Sequence, residues 1–196
     1  MNPRAIIFIG QSGAGKGTQV ALLKEKLLGA GTPVLYLETG KRFRELIAST
    51  SFTAARTKAV MDSGNLPPPF LGIHAWTHFL IEEYDGVSTV LMDGTPRVPD
   101  EVPVLLSAAK FYGWDLHVVW IDVGDEWAAL RTKGRGRADD LDEHKIWGRI
   151  EWFHQSVVPT IELLKSSPIV TFHHIYGEQT IEAVHRDIAQ AIDINR

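Results

Sequence analysis

The sequence contains no cysteine. Disulfide cross-links and a cysteine-based zinc site are thereby excluded, and no zinc is expected. Basic excess is missing too: Lys and Arg total 20 against 24 Asp and Glu, a formal net charge of −4. That balance argues against a general nucleic-acid binder, although local basic clusters can still take small anions. No apolar run reaches the length of a membrane span, and the N-terminal stretch has no long apolar signal region. A cytoplasmic protein with no membrane partner is the expectation. Internal repeats, low-complexity tracts and obvious linkers are also lacking. What is there is an ordinary globular balance, 44% hydrophobic and 22% charged over 196 residues. That length suits one domain with room for inserted lobes and can bury a large share of its surface.

The most informative stretch is Gly10-Gln11-Ser12-Gly13-Ala14-Gly15-Lys16-Gly17-Thr18. It follows the apolar run Ala5–Ile9 and opens an amphipathic segment containing Val20, Leu22, Leu23, Leu27 and Leu28. Strand, glycine-rich turn and helix together are the context of a phosphate loop. Glycines let successive backbone N–H groups turn inward toward anionic oxygens. The helix that follows adds the positive end of its dipole. Lys16 brings a full charge to where the β- and γ-phosphates of a nucleotide would lie. A glycine turn that merely ends a strand would not match four positions, Gly10, Gly15, Lys16 and Thr18, in this frame. The residue after Lys16 is Gly17, and the hydroxyl comes one place later, at Thr18.

Further strands are predicted at Pro33–Leu37, Val87–Met92, Leu116–Val123 and Ile169–His174. Helices are predicted at about 41–49, 53–63, 70–83, 100–112, 125–133 and 179–192, with a long helix over 142–165 bent or interrupted near Pro159. Glu38-Thr39-Gly40 reads as a turn. Alternating strands and helices predict an α/β fold with three layers around a central five-stranded parallel sheet. Ligands should then gather at the carboxyl ends of the strands, where the phosphate loop, Thr39, Asp93 and the loop after Val123 all fall.

Asp93 ends an apolar strand, the place for a carboxylate that orients magnesium, usually through water. The plainer alternative is an Asp that caps the loop before the next helix. Arg44, Arg97, Arg131, Arg135, Arg137 and Arg149 fall on helices or loops flanking the strand ends. Singly, each would be a solvated surface charge. Beside a phosphate loop they suggest a site crowded with phosphate oxygens, because guanidinium presents two parallel donors. Transfer of a phosphoryl group needs such charge on several sides at once.

At this point the chain resembles the adenylate kinase family of nucleoside monophosphate kinases, almost end to end. Residues 10–19 are similar to the family's loop, including its Gly-Thr-Gln ending, with Ser12 where many members carry proline. Thr39-Gly40 with Arg44, the segment Met61–Pro67, Asp93-Gly94-Thr95-Pro96-Arg97, Gly136–Asp140, and Arg149 with Pro159 ten residues on all resemble family segments in order and spacing. The resemblance implies a single phosphate-loop kinase domain over 1–196, with a monophosphate-binding insertion at about 38–70. A short lid would span about 134–141. It implies transfer of the γ-phosphate of ATP, with magnesium, to a nucleoside monophosphate, foremost AMP. CMP, UMP, GMP and a deoxynucleotide monophosphate remain alternatives. A nucleotide-binding regulatory protein with little turnover is the reading from a different class. A monomer is expected.

Carried over by residue, Gly13, Ala14, Gly15, Lys16, Gly17, Thr18, Arg131, Arg135, Gly177 and Gln179 would bind ATP. Thr39, Gly40, Arg44, Asn65, Leu66, Pro67, Gly94, Thr95, Pro96, Arg97 and Glu101 would bind the monophosphate. Arg137 and Arg149 would bridge both, with Asp139 anchoring these arginines. Lys16, Arg97, Arg131, Arg137 and Arg149 would form the catalytic set. Two departures bear on the acceptor: Thr95 replaces a phenylalanine, and Glu101 stands where glutamine is usual. Ionised glutamate only accepts hydrogen bonds, whereas glutamine accepts and donates. Glu101 is therefore either a base-reading residue or an exposed helix-start acid favoured by the dipole.

His74 and His78 share a helix face, but packing or surface roles are favoured over metal binding. The His173-His174 pair has no third ligand in its motif. Trp127, Trp147 and Trp152 are expected to pack the helices around the lid.

Overall fold

The computed structural model describes residues 3–62, 67–134 and 142–193. Five parallel strands form one sheet in the order β2-β3-β1-β4-β5: β1 (Arg4–Ile9), β2 (Val34–Glu38), β3 (Thr89–Asp93), β4 (Asp115–Asp122) and β5 (Val170–Tyr176). The central strand β1 is apolar on both faces, with Ala5, Ile6, Ile7 and Phe8 fully buried, as a strand covered on both sides must be.

Side-chain alternation divides the core in two. Ala5, Ile7, Ile9, Met92 and Val118 pack beneath α4 (Pro69–Glu83), α5 (Glu101–Tyr112) and α8 (Val158–Lys165). Ile6, Phe8, Leu91, Val119 and Ile175 pack beneath α1 (Lys16–Gly29) and α9 (Ile181–Ala191), with Ala128 of α6 (Asp125–Gly134). The remaining helices are α2 (Thr39–Ala48), α3 (Phe52–Asp62) and α7 (Glu143–Trp152). Helix α1 leaves β1 on one face, and α5 leaves β3 on the other. Adjacent strands whose following helices depart to opposite faces leave a crevice at their carboxyl ends. The β1–β3 pair opens such a crevice, and the register Phe8↔Asp93 puts Asp93 at its lip.

One element differs from the sequence expectation. Thr39 and Gly40 are not a turn but the first residues of α2. The long helix expected over 142–165 with a bend or interruption near Pro159 is α7, then a π-helical turn at Phe153–Val157, then α8, so the interruption falls just before that proline. Among the described residues, no helix is long and apolar enough to cross a membrane.

Candidate active site

The phosphate loop is shaped by close backbone approach. A Cβ on Gly13, whose φ is +89°, would lie 2.3 Å from the Ala128 carbonyl oxygen and 2.7 Å from Thr132 Oγ1. Only glycine lets the loop press against α6 there. Gly15 caps α1 without a side-chain hydrogen bond, and no acid stands in the first turn. No capping side chain or first-turn acid therefore offsets the positive end of the helix, which suits an anion. Lys16 curls back so that Nζ donates to the Gly10 and Gln11 carbonyls, each at 2.8 Å. Asp93 Oδ2 lies 3.5 Å from where a Cβ on Gly17 would stand, so this carboxylate faces the first turn of α1.

The second pocket lies across the crevice. Glu38 pairs with Asp93 in the sheet and accepts from Arg44 Nη2 at 2.8 Å. Above Gly40 two guanidinium groups meet: a Cβ there would be 3.3 Å from Arg44 Nη1 and 4.0 Å from Arg97 Nη2. Arg97 folds over Gly94, with Nε donating to the Gly94 carbonyl. Burial of this crowded guanidinium lowers its pKa, while Asp93 and Glu101 raise it. Thr95, which follows Gly94 and forms a cis peptide with Pro96, is buried. Its hydroxyl lies 2.7 Å from the Thr39 hydroxyl, so the departure from phenylalanine is matched by a partner on α2. Burial, then the charges of Asp93 and Glu38, push the Tyr36 hydroxyl above its ordinary pKa.

Glu101 is 5% exposed, which overturns the exposed helix-start alternative. The Arg97 main-chain N–H donates to its carboxyl, while Oε2 has no hydrogen-bond partner among the described residues. Burial pushes its pKa up to about 7, opposed by that hydrogen bond, by the Arg97 charge and by the Trp76 indole.

Other expected site residues are placed as follows. Arg131, in the last turn of α6, lies 5.7 Å from the Trp127 ring centroid. Arg149 is in the last turn of α7, with Nε donating to the Lys145 carbonyl at 3.3 Å. Gly177 N–H donates to the Asp122 carbonyl at 2.7 Å. Gln179 donates to the Tyr176 carbonyl and to Asp187. Pro67 lies just before α4. Asn65, Leu66, Arg135, Arg137 and Asp139 lie outside the described residues. Trp127 and Trp152 pack against the core clusters, but Trp147 is exposed and does not. His74 and His78 stack at 5.4 Å, His173 pairs with His117 at 2.9 Å, and His174 donates to Asp122 at 2.8 Å. Sequence reasoning missed Glu38, Gln11, Asp125 and His154. An acid preceding Thr39-Gly40 was the available sign for Glu38. Gln11 fills a position of the loop motif that any residue can occupy.

A family model described as an AAA domain matches residues 9–146. The chain is 33% identical over 159 residues to a protein named adenylate kinase from Mycobacterium sp. (strain MCS), covering 80% of this chain and 83% of that one. Against the adenylate kinase of Leptospira biflexa serovar Patoc it is 30% identical over 194 residues, 96% of this chain and 100% of the relative. Against that of Mycobacterium tuberculosis it is 32% identical over 162 residues, 80% and 83% of the two chains. With near end-to-end coverage, a parallel sheet in the order 2-3-1-4-5 and a glycine-rich loop at its crevice, the chain belongs to the adenylate kinase family.

Proposed function

We propose that this protein is a nucleoside monophosphate kinase that transfers the γ-phosphoryl group of ATP to a monophosphate, foremost AMP, giving two ADP reversibly. The observation that carries the reading is the facing of two cationic pockets across one crevice: the Lys16 loop on one side, and Arg44 with Arg97 over Gly40 on the other. One phosphate pocket would serve a binding protein; two suit a donor and an acceptor.

In this reading the loop N–H groups and Lys16 hold the donor phosphates, exchanging the Gly10 and Gln11 carbonyls for phosphate oxygens. Arg44 and Arg97 hold the acceptor α-phosphate. An acceptor phosphate oxygen attacks the γ-phosphorus, the bond to the β–γ bridging oxygen breaks, and its electron pair leaves on ADP. The protein's share is placement and charge. Arg131 and Arg149 stand on the helices that enter and leave residues 135–141, and with Arg135 and Arg137 they would surround the group in transit.

Magnesium suits the Asp93 corner, because the Asp93 carboxylate, facing the first turn of α1, offers oxygen donors only. Among the described residues no three His, Cys, Asp or Glu gather as a metal cage. An ion carried in with the nucleotide needs none. When bound, it would neutralise charge on the donor phosphates.

A second acceptor reading follows from Glu101. Its neutral acid offers one donor and one acceptor, as glutamine does for adenine. Its carboxylate offers acceptors only, which suits the neighbouring donors of guanine. A coupled assay of ADP formation with ATP, magnesium and each of AMP, GMP, CMP, UMP and dAMP tests the proposal. The expected result is turnover with AMP giving the highest kcat/KM. Nucleotide binding without turnover on any acceptor would reject the kinase reading.

A further inference from the structure

One polar cluster outside the two pockets ties the phosphate loop to the helices beyond β4. Gln11 is 4% exposed. Its amide nitrogen donates to the Val123 carbonyl at 3.2 Å and to Asp125 Oδ1 at 2.8 Å. Asp125 is the first residue of α6, and its carboxylate also meets His154 Nε2, at 2.9 Å from Oδ1 and 3.1 Å from Oδ2. A carboxylate only accepts, so Gln11 and His154 are both donors and His154 carries its proton on Nε2. His154 sits in the π-helical turn directly after α7. One carboxylate thus joins three parts: the phosphate loop, the helix with Arg131 in its last turn, and the segment following α7.

The connection reaches the lysine. The Gln11 carbonyl accepts from Lys16 Nζ at 2.8 Å and from Ala14 N–H at 3.1 Å. The Gln11 side chain is held by its two amide bonds alone, since its Oε1 has no hydrogen-bond partner among the described residues. Releasing Asp125 would free the side chain to turn, and with it the peptide that fixes the lysine and the loop amides.

We propose that Asp125 is a positioning residue for the donor nucleotide. Through Gln11 it sets the loop, and through His154 it holds that loop in register with the helix bearing Arg149. This rests on the reading of the loop as the ATP phosphate site. Gln11 and His154 are not hydrogen-bonded to each other, and His154 reaches the loop only through Asp125.

The test uses the whole protein, with ATP–magnesium titrated by calorimetry and steady-state constants measured for both substrates. A lost hydrogen bond of ordinary strength corresponds to roughly a 2- to 10-fold effect. Gln11→Ala and His154→Ala should each raise the Kd and KM for ATP by roughly that factor, with the acceptor KM unchanged. The double variant should be no worse than the more severe single, because either change breaks the same clasp. His154→Gln, which keeps an N–H donor, should restore wild-type constants. Additive losses, an equal rise in the acceptor KM, or unchanged constants with only a lowered Tm would overturn the proposal while leaving the donor reading intact. A wild-type protein that binds no ATP would overturn both.

Discussion

Glu101 opens α5 with its carboxyl turned inward, beneath the point where α4 passes at Gly72. A Cβ on Gly72 would lie 3.3 Å from Oε1. With one oxygen against the Arg97 main chain and the other without a hydrogen-bond partner among the described residues, the buried group binds its proton more tightly folded than unfolded. The pKa of about 7 lies above the ordinary 4.5. The fold therefore favours the neutral acid, and this contribution is full below pH 4.5 and lost as pH rises toward 7. Its size is on the order of 3 kcal/mol. Relative to Glu101→Gln, the wild-type protein should lose thermal stability across that window, and parallel melting curves from pH 4.5 to 8 would refute the buried-acid argument. The same substitution tests base reading. The wild-type ratio of kcat/KM for AMP over GMP should fall between pH 6 and 8, and the Gln variant should hold it level. An unaltered ratio in the variant at every pH would end the case for contact with the base. The sequence singled out this position because glutamate stands there where the family usually has glutamine. Its burial was not legible, because a glutamate at a helix start faces water in most settings and only the packing of α4 turns it in.

At the scale of elements, the sequence was clear wherever apolar pattern and glycine punctuation agreed. The five strands and the helices after them appeared within a few residues, since a strand buried on both faces leaves an unbroken apolar run. Two elements needed three-dimensional contacts. Helix α2 starts at Thr39 because the Thr39 and Thr95 hydroxyls pair across the crevice and Glu38 holds Arg44, neither of which a window of sequence contains. The break near Pro159 was legible but its form was not. Proline has no N–H and crowds the carbonyl four residues back. A kink or a π turn both relieve this, and here the π turn precedes Pro159, with Thr160 Oγ1 donating to the Ser156 carbonyl at 2.8 Å. The loop after β5 makes an element-scale prediction. Gly177 runs so close to β4 that a Cβ would lie 2.7 Å from both Ile121 Cγ2 and Val123 Cγ1. Branched methyl groups in a packed sheet cannot swing aside, so Gly177→Ala should cost about 1–3 kcal/mol by overpacking. Thermal unfolding measures this, and a Tm within a degree of wild type would show that the loop has room to shift. Gly177 was singled out as part of the donor site. Its contacts with β4 give it a packing role of its own.

For the whole molecule, the sequence conveyed a parallel sheet, a phosphate loop and a set of arginines, and the sheet order explains why these can share one crevice. The loops after β1, β2 and β3 leave neighbouring carboxyl ends, so Lys16, Thr39 and Asp93 converge despite their separation along the chain. The clasp of Gln11, Asp125 and His154 was not legible, because Gln11 and Asp125 lie 114 residues apart, His154 follows Asp125 by another 29, and no motif names them. Two pockets in one crevice also make a prediction about stability. A ligand that binds only the folded state at a hundred times its Kd adds about 2.7 kcal/mol. In a domain of this size each kcal/mol moves Tm by about 2–4 °C. A non-hydrolysable ATP analogue with magnesium should therefore raise Tm by roughly 5–11 °C, and saturating AMP should do so separately. If the Lys16 loop and the Arg44–Arg97 pocket are distinct sites, both ligands together should give at least the sum of the two shifts, because each stabilises the fold without displacing the other. If they compete for one pocket, the combined shift cannot exceed that of the tighter ligand by more than a fraction of a kcal/mol, and the two-pocket reading fails. Lys16→Ala should abolish the analogue's share while AMP keeps its own. A loss of both shifts together would mean that the crevice works as a single phosphate site.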